Sequence, residues 1–287
     1  MRLSVYSQVA ESIDPIRMAR RLDLEPYQWQ EVVIEPSTGD LILLCARQSG
    51  KSTVVALKVY HTVVYQPGSL VLIIAPSRDQ SKELMIKIDE LAGLDEYGPD
   101  LSTDSVFEKV YSNGSRIVAL PGSERSVRGF SGPTLIVIDE ASRVPDETYR
   151  AARPMMVGNT GDMILLSTPF GMRGFFFEES GRDRWNRVKV VPAFKVSGST
   201  IVPADPDPIR GWETFISPRH DKDFLEEELE SLGEFWFRQE YLCEFLEVTT
   251  NLFTRELIES ALDHDIDPML SSTPFDSVDE ELEPLEI

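Results

Sequence analysis

The chain has 287 residues, 41% of them hydrophobic, and a formal net charge of −21. That length buries a large core without disulfide or metal support, and that charge excludes a protein that coats nucleic acid by phosphate neutralisation alone. The two cysteines, Cys45 and Cys243, provide no disulfide framework and no paired-cysteine metal site, so a reducing interior such as the cytoplasm fits best.

The opening MRLSVYSQVAESIDP lacks an apolar signal core, and no uninterrupted apolar run approaches the roughly 20 residues of a membrane span. A soluble protein with no membrane association is expected, with residues 1–21 as an N-terminal segment. Leu41 to Ala46 reads as a buried strand and Lys51 to Val64 as the helix after it. Ser69 to Pro76 is a second apolar run, stopped by proline and followed by a helical pattern from Arg78 to Leu91. SRIVAL (115–120), TLIVIDE (134–140) and MILLSTP (163–169) supply three more strands. Runs this apolar are expected of parallel strands covered by helices on both faces. The predicted fold class is therefore α/β, a three-layer sandwich with a mainly parallel central sheet.

Residues 192–218, rich in Pro, Gly, Ser and Asp, are expected to form an extended surface excursion. Helical patterning resumes over 222–246, with a break at Gly233, and is expected to cap a domain that runs over 22–250. No Lys or Arg follows Arg255; Met1 to Arg255 carries 28 basic and 38 acidic residues, a net −10, while Glu256 to Ile287 holds 11 acids. Residues 251–287 thus read as an acidic, partly disordered tail, either solubilising or an acidic docking peptide.

Between the first strand and its helix stands CARQSGKST (45–53). A phosphate-binding loop that opens a helix holds phosphates with backbone N–H groups and the positive end of the helix dipole; its lysine reaches the β- and γ-phosphates and the next hydroxyl binds Mg²⁺. Gln48, Ser49 and Gly50 supply the loop, Lys51 and Ser52 the side-chain roles, and Thr53 a neighbouring hydroxyl, with Cys45 where the usual pattern has its first glycine. A plain strand-loop-helix connection also accounts for the tripeptide, so the second signal decides. Asp139 and Glu140 end an apolar strand, where ligands bind in parallel sheets. In nucleotide hydrolases such an aspartate holds the Mg²⁺ shell and an adjacent glutamate polarises the attacking water. Together the two signals predict magnesium-dependent ATP hydrolysis, with Ser52 and Asp139 on the metal and Glu140 catalytic. Ser167 and Thr168, at the end of another strand, are placed to sense the γ-phosphate, although Ser-Thr-Pro also reads as a turn and helix start.

Taken in order, PYQWQ, ARQSGKST, IAPSRDQSKE, VRGFSG, LIVIDEAS, LLSTPFG and FRQEYLCEF resemble the large subunit of the tailed-bacteriophage and prophage terminase, the motor that packages viral DNA, from about Leu22 to Val248. The resemblance implies a P-loop NTPase fold of the RecA/ASCE kind with a small helical cap, and ATP and Mg²⁺ as ligands. It implies double-stranded viral DNA, a portal protein and a small terminase subunit as partners, and a homo-oligomeric, pentameric ring on the portal. The implied location is the cytoplasm of the infected or lysogenic bacterial host, outside the mature virion.

The resemblance also implies residue roles. That family relaxes the first glycine, where Cys45 stands, and carries a basic residue ahead of the Gly-Lys pair. Arg47 is that residue, serving either as an in-cis catalytic arginine or as an anchor to a neighbouring carboxylate. Gln30 corresponds to an adenine-reading glutamine, whose amide donates and accepts at once; Tyr27 stacks or packs, and Trp29 packs. Arg128, twelve residues before Glu140, corresponds to an arginine proposed to act across a subunit boundary, an ion pair on a surface loop being the alternative. Full-length relatives continue into a nuclease domain, for which the residues beyond Leu262 are too few. Asp263, Asp265 and Asp267 are therefore read as solvated, no cutting is expected, and a separately encoded nuclease domain is a further partner. Arg182, Arg184, Arg187 and Lys189 form the densest basic patch, either a DNA contact or a strand's solvent face. Two other classes stay open: a superfamily-2 helicase-like ATPase lobe, and a non-catalytic scaffold on a terminase ring or capsid.

Overall fold

The computed structural model describes residues 3–36, 39–123, 127–156, 161–198, 200–205 and 209–247. Three short helices, α1 (Val5–Ile13), α2 (Pro15–Arg21) and α3 (Gln28–Ile34), precede β1 (Leu41–Cys45), α4 (Lys51–Tyr65), β2 (Leu70–Ala75) and α5 (Arg78–Leu94). There follow β3 (Leu101–Asp104), β4 (Glu108–Tyr111), β5 (Arg116–Pro121), β6 (Leu135–Asp139), α6 (Asp146–Ala152), β7 (Asp162–Ser167) and α7 (Gly174–Ser180). The chain continues through β8 (Asn186–Val191), β9 (Phe194–Ser197), β10 (Thr200–Pro203), β11 (Glu213–Ile216) and α8 (Lys222–Glu240).

Nine strands form one sheet in the order β11-β8-β1-β7-β6-β2-β5-β4-β3. Pairing is parallel from β11 to β5 and antiparallel through β4 and β3. The period of two along each strand sorts its side chains into two cores. Leu41, Leu43 and Cys45 of β1, with Val71, Val137 and Leu166, pack against Trp29, Val55, Val59 and Ile88 of α3, α4 and α5. Ile42 and Leu44, with Leu72, Ile138 and Leu165, face Tyr149, Phe175 and Trp185 on the opposite side. Every residue of β1 and β6 is buried, as strands covered on both faces must be. The three-layer α/β sandwich is the observed architecture, and among the described residues no helix is long and apolar enough to cross a membrane.

Two stretches depart from expectation. Residues 192–218 are not simply a surface excursion: β11 extends the main sheet by pairing Glu213–Ile216 with Val188–Val191. Within the same stretch β9 and β10 form a hairpin whose Ile201 packs with Leu225 and Leu229 of α8. Strands of four residues are too short for alternation to stand out among turn-forming residues. Residues 1–21, read as an N-terminal segment ahead of the domain, pack onto it: Met18 and Ala19 lie in the core and Arg21 binds Asp95 at 2.6 Å and Glu11 at 2.9 Å. Residues 1–246 form one compact unit; the expected tail over 251–287, with Asp263, Asp265 and Asp267, lies outside the described residues. In α8, Gly233 takes φ 76°, ψ 160° and interrupts the helix.

Candidate active site

Three adjacent strands, β1, β7 and β6, end on the same edge of the sheet. Leu44 lies opposite Ser167, and Asp139 opposite Leu166, so residues 46–50, Ser167–Thr168 and Asp139–Glu140 emerge at one level. Cys45 still belongs to β1, fully buried and paired with Val190, and burial pushes its thiol pKa up. The chain reverses later, through Gln48 (φ 58°) and Gly50 (φ 97°), which is why the first glycine of the usual pattern is dispensable. Gly50 caps α4, placing Lys51, Ser52 and Thr53 in the first turn, while Ser49 is buried. A Cβ at Gly50 would lie 3.2 Å from Gln30 Nε2 and 3.4 Å from Arg219 Cζ.

Lys51 Nζ donates to Glu140 Oε1 at 2.6 Å. Burial opposes the charge on Lys51, but Glu140 and Asp139 outweigh it and raise the pKa. Glu140 Oε2 accepts from Ser167 Oγ at 3.3 Å, and Ser167 Oγ shares a 2.7 Å hydrogen bond with Ser142 Oγ. Glu140 itself is held in the left-handed region at φ 47°, its N–H donating to Asp139 Oδ1 at 2.9 Å. Such strain in a non-glycine residue is a mark of functional sites. Asp139 is 8% exposed, and burial, then the charge of Glu140, push its pKa up to about 6. A carboxylate so costly to ionise, with the Ser52 hydroxyl, is an all-oxygen donor set of the kind that suits Mg²⁺ completed by phosphate and water.

Around this centre the structure gathers four residues that sequence reasoning passed over. Glu240, 4% exposed at the end of α8, accepts from Arg47 Nε and Arg143 Nη2, each at 3.0 Å. Its carbonyl accepts from the Arg47 N–H at 2.9 Å. His220 Nε2 donates to the Arg47 carbonyl at 2.7 Å, and burial lowers the His220 pKa, which favours the neutral ring. Of the two readings of Arg47, this geometry is that of the anchor. Arg219 completes the set, its guanidinium 5.9 Å over the Tyr27 ring. Glu240 was visible only as one acid in a helix crowded with glutamates, and Arg219 and His220 fall between the stretch read as a surface excursion (192–218) and the helical pattern that starts at 222.

Gln30 is buried, with Oε1 accepting from the Tyr27 N–H at 2.9 Å; Trp29 is in the core and Thr168 is buried. Arg128 is exposed on the connection between β5 and β6. In the basic patch, Arg184 binds Glu179 and, at 2.8 Å, Tyr149 Oη, and Arg182 binds Glu179 at 3.4 Å. Arg187 binds Asp183 at 3.0 Å and the Gly211 carbonyl at 2.9 Å, and Lys189 is buried. Cations committed in this way do not make an open positive face.

Comparison with known proteins follows the same lines. A family model described as the N-terminal part of the T4likevirus-type terminase large subunit matches residues 42–260. The terminase large subunits of Thermus phage G20c and Thermus virus P23-45 are each 26% identical to this chain, over 253 and 255 residues. Both alignments cover 81% of this chain and 51% of the relative, so the chain spans about half the length of the curated relatives it matches. Among solved structures, the large terminase ATPase domain of Thermus phage P74-26 superposes with a TM-score of 0.58 at 19% identity, covering 79% of this chain and 97% of that one. A large terminase of a thermophilic bacteriophage, solved in complex with ADP, gives 0.56 at 11% identity, covering 77% and 54%.

Proposed function

The chain belongs to the family of terminase large subunits, in their N-terminal part, and from that premise we propose that it hydrolyses Mg²⁺–ATP to drive double-stranded viral DNA into a procapsid. The observation that carries the reading is the Lys51–Glu140 contact of 2.6 Å at the mouth of a helix-opening loop. A polyphosphate seated on the N–H groups of residues 48–52 takes Lys51 as its counterion, and Glu140 is thereby released as a general base. Glu140 accepts a proton from water as the water oxygen bonds to the γ-phosphorus and the bond to the bridging oxygen breaks, giving ADP and phosphate. Ser52 and Asp139 would hold Mg²⁺, which when bound would neutralise negative charge on the phosphate chain.

Gln30, beside Gly50, reads the adenine edge. Arg47 acts on the γ-phosphate in cis only by exchanging Glu240, whereas Arg128, exposed, acts in trans from a neighbouring copy. Ser167, the last residue of β7, and Thr168 after it relay loss of the γ-phosphate. On this reading copies of the chain form a pentameric ring on a portal protein in the host cytoplasm, with a small terminase subunit as a further partner.

Phosphate release with Mg²⁺–ATP tests the proposal. Glu140→Gln is expected to retain nucleotide binding and lower kcat on the order of a hundredfold or more, and Lys51→Ala to abolish binding. Phosphate release unmoved by either substitution would remove the mechanism; tight binding without turnover in the unaltered protein would favour the scaffold.

A further inference from the structure

Four cations surround the phosphate loop, and three have carboxylate partners. Lys51 faces Glu140, and Arg47 and Arg143 share Glu240. The fourth, Arg219, makes no ion pair among the described residues; its guanidinium lies over the Tyr27 ring and against Gly50. A strongly charged group left unbalanced beside a loop that binds anions is the one most readily drawn to them.

The root of this side chain is fixed to the loop that it overhangs. The Arg219 N–H donates to Ser217 Oγ at 3.4 Å, and Ser217 is buried. The next residue, His220, is buried and holds the Arg47 carbonyl at 2.7 Å. The connection between β11 and α8 is thus hydrogen-bonded to the phosphate loop itself, and Arg219 projects from it on a short, anchored base.

Direction along the nucleotide follows from the neighbours. Glu140, against Lys51, marks the reacting end. Arg219 lies over the Tyr27 ring and beside Gly50, which Gln30, the proposed adenine reader, also flanks. We propose that Arg219 is a nucleotide-binding residue whose guanidinium contacts the α- and β-phosphates of the nucleotide held by its own subunit. This rests on the reading of the loop as an ATP site. The planar fork of donors suits two phosphate oxygens at once. ADP and ATP carry the same α- and β-phosphates, so the contact raises affinity for both; because charge also builds on the β-phosphate as the bond to the γ-phosphorus breaks, it lends a smaller help to the chemical step.

The test is the affinity of the full chain for fluorescent ADP and for a non-hydrolysable ATP analogue, with Arg219→Ala and Arg219→Lys alongside the unaltered protein. Arg219→Ala is expected to weaken both nucleotides about tenfold, the low end for a hydrogen bond to a charged group since the side chain is exposed to screening. Arg219→Lys is expected to recover part of that loss. The KM for ATP in Arg219→Ala is expected to rise by about the same factor, with kcat at saturation falling by less than the loss in affinity. Unchanged affinity for both nucleotides would overturn the assignment, and so would a fall in kcat with ADP affinity intact, which would move Arg219 to the γ-phosphate. Failure of the unaltered protein to bind either nucleotide would instead sink the ATP reading of the loop.

Discussion

Asp139→Asn is expected to stabilise the protein at neutral pH while removing the carboxylate proposed to hold Mg²⁺. Burial and the adjacent Glu140 charge raise the Asp139 pKa from 3.8 to about 6. A shift of about two units, at about 1.36 kcal/mol each, makes ionisation cost the folded state about 3 kcal/mol. The sign follows from proton counting. Between about pH 4 and about pH 6 the folded state binds more protons than the unfolded chain, so stability falls as pH rises, and above that window the penalty is complete. Asparagine keeps an acceptor for the Glu140 N–H, which Asp139 Oδ1 now satisfies at 2.9 Å, but brings a buried amide NH₂ that costs about 1 kcal/mol if unmatched. The net gain is about 2 kcal/mol at about pH 7.5, or roughly 4–8 °C in Tm for a chain of this size. The assay is thermal and urea unfolding across about pH 4.5 to 8, without nucleotide or divalent cation. A variant less stable at neutral pH, or an advantage that does not shrink on acidification, would refute the claim that Asp139 is held against its ionisation.

Two further substitutions examine the frame around the site. Glu240→Gln withdraws the charge shared by Arg47 and Arg143; both guanidiniums reach water, at 56% and 32% exposure, so the expected loss is about 1–2 kcal/mol rather than the larger cost of a stranded buried charge. Calorimetry showing no fall in Tm would deny that this clamp stabilises the fold. Cys45→Gly deletes a fully buried side chain at the end of β1 and is expected to cost about 1–2 kcal/mol, with nucleotide affinity kept within about twofold because the turn begins three residues later. Weaker binding at unchanged stability would place Cys45 in the site itself.

The layers and the centre of the site were legible because they ride on long apolar runs. β1, β2, β6 and β7 each have five or six residues, nearly all buried, and a run of that kind announces both a strand and the polar residues that end it. Lys51, Asp139, Glu140 and Ser167 were found in this way. The four-residue strands β9, β10 and β11 carry no comparable signal, and neither does Glu240, whose meaning depends on a partner 193 residues away. A basic residue at Arg47 could be read from the loop, but whether it faces a carboxylate was a question of where α8 comes to rest. His220 is the same case: a lone histidine in a Pro-rich stretch says nothing until its ring is seen on the Arg47 carbonyl.

The interrupted helix α8 keeps a small core of its own. Leu225 and Leu229 precede the break at Gly233, Phe237 and Tyr241 follow it, and all four pack with Ile201 of the β9–β10 hairpin. Tyr241 Oη donates across the break to Glu228 at 2.8 Å. The ties from Glu240 and His220 to the phosphate loop, by contrast, are polar. Parting Glu240 from Arg47 and Arg143 therefore does work against hydrogen bonds, which water or a phosphate can replace, and leaves that core untouched. This polar seam runs along the loop on which the proposed nucleotide's charge would arrive.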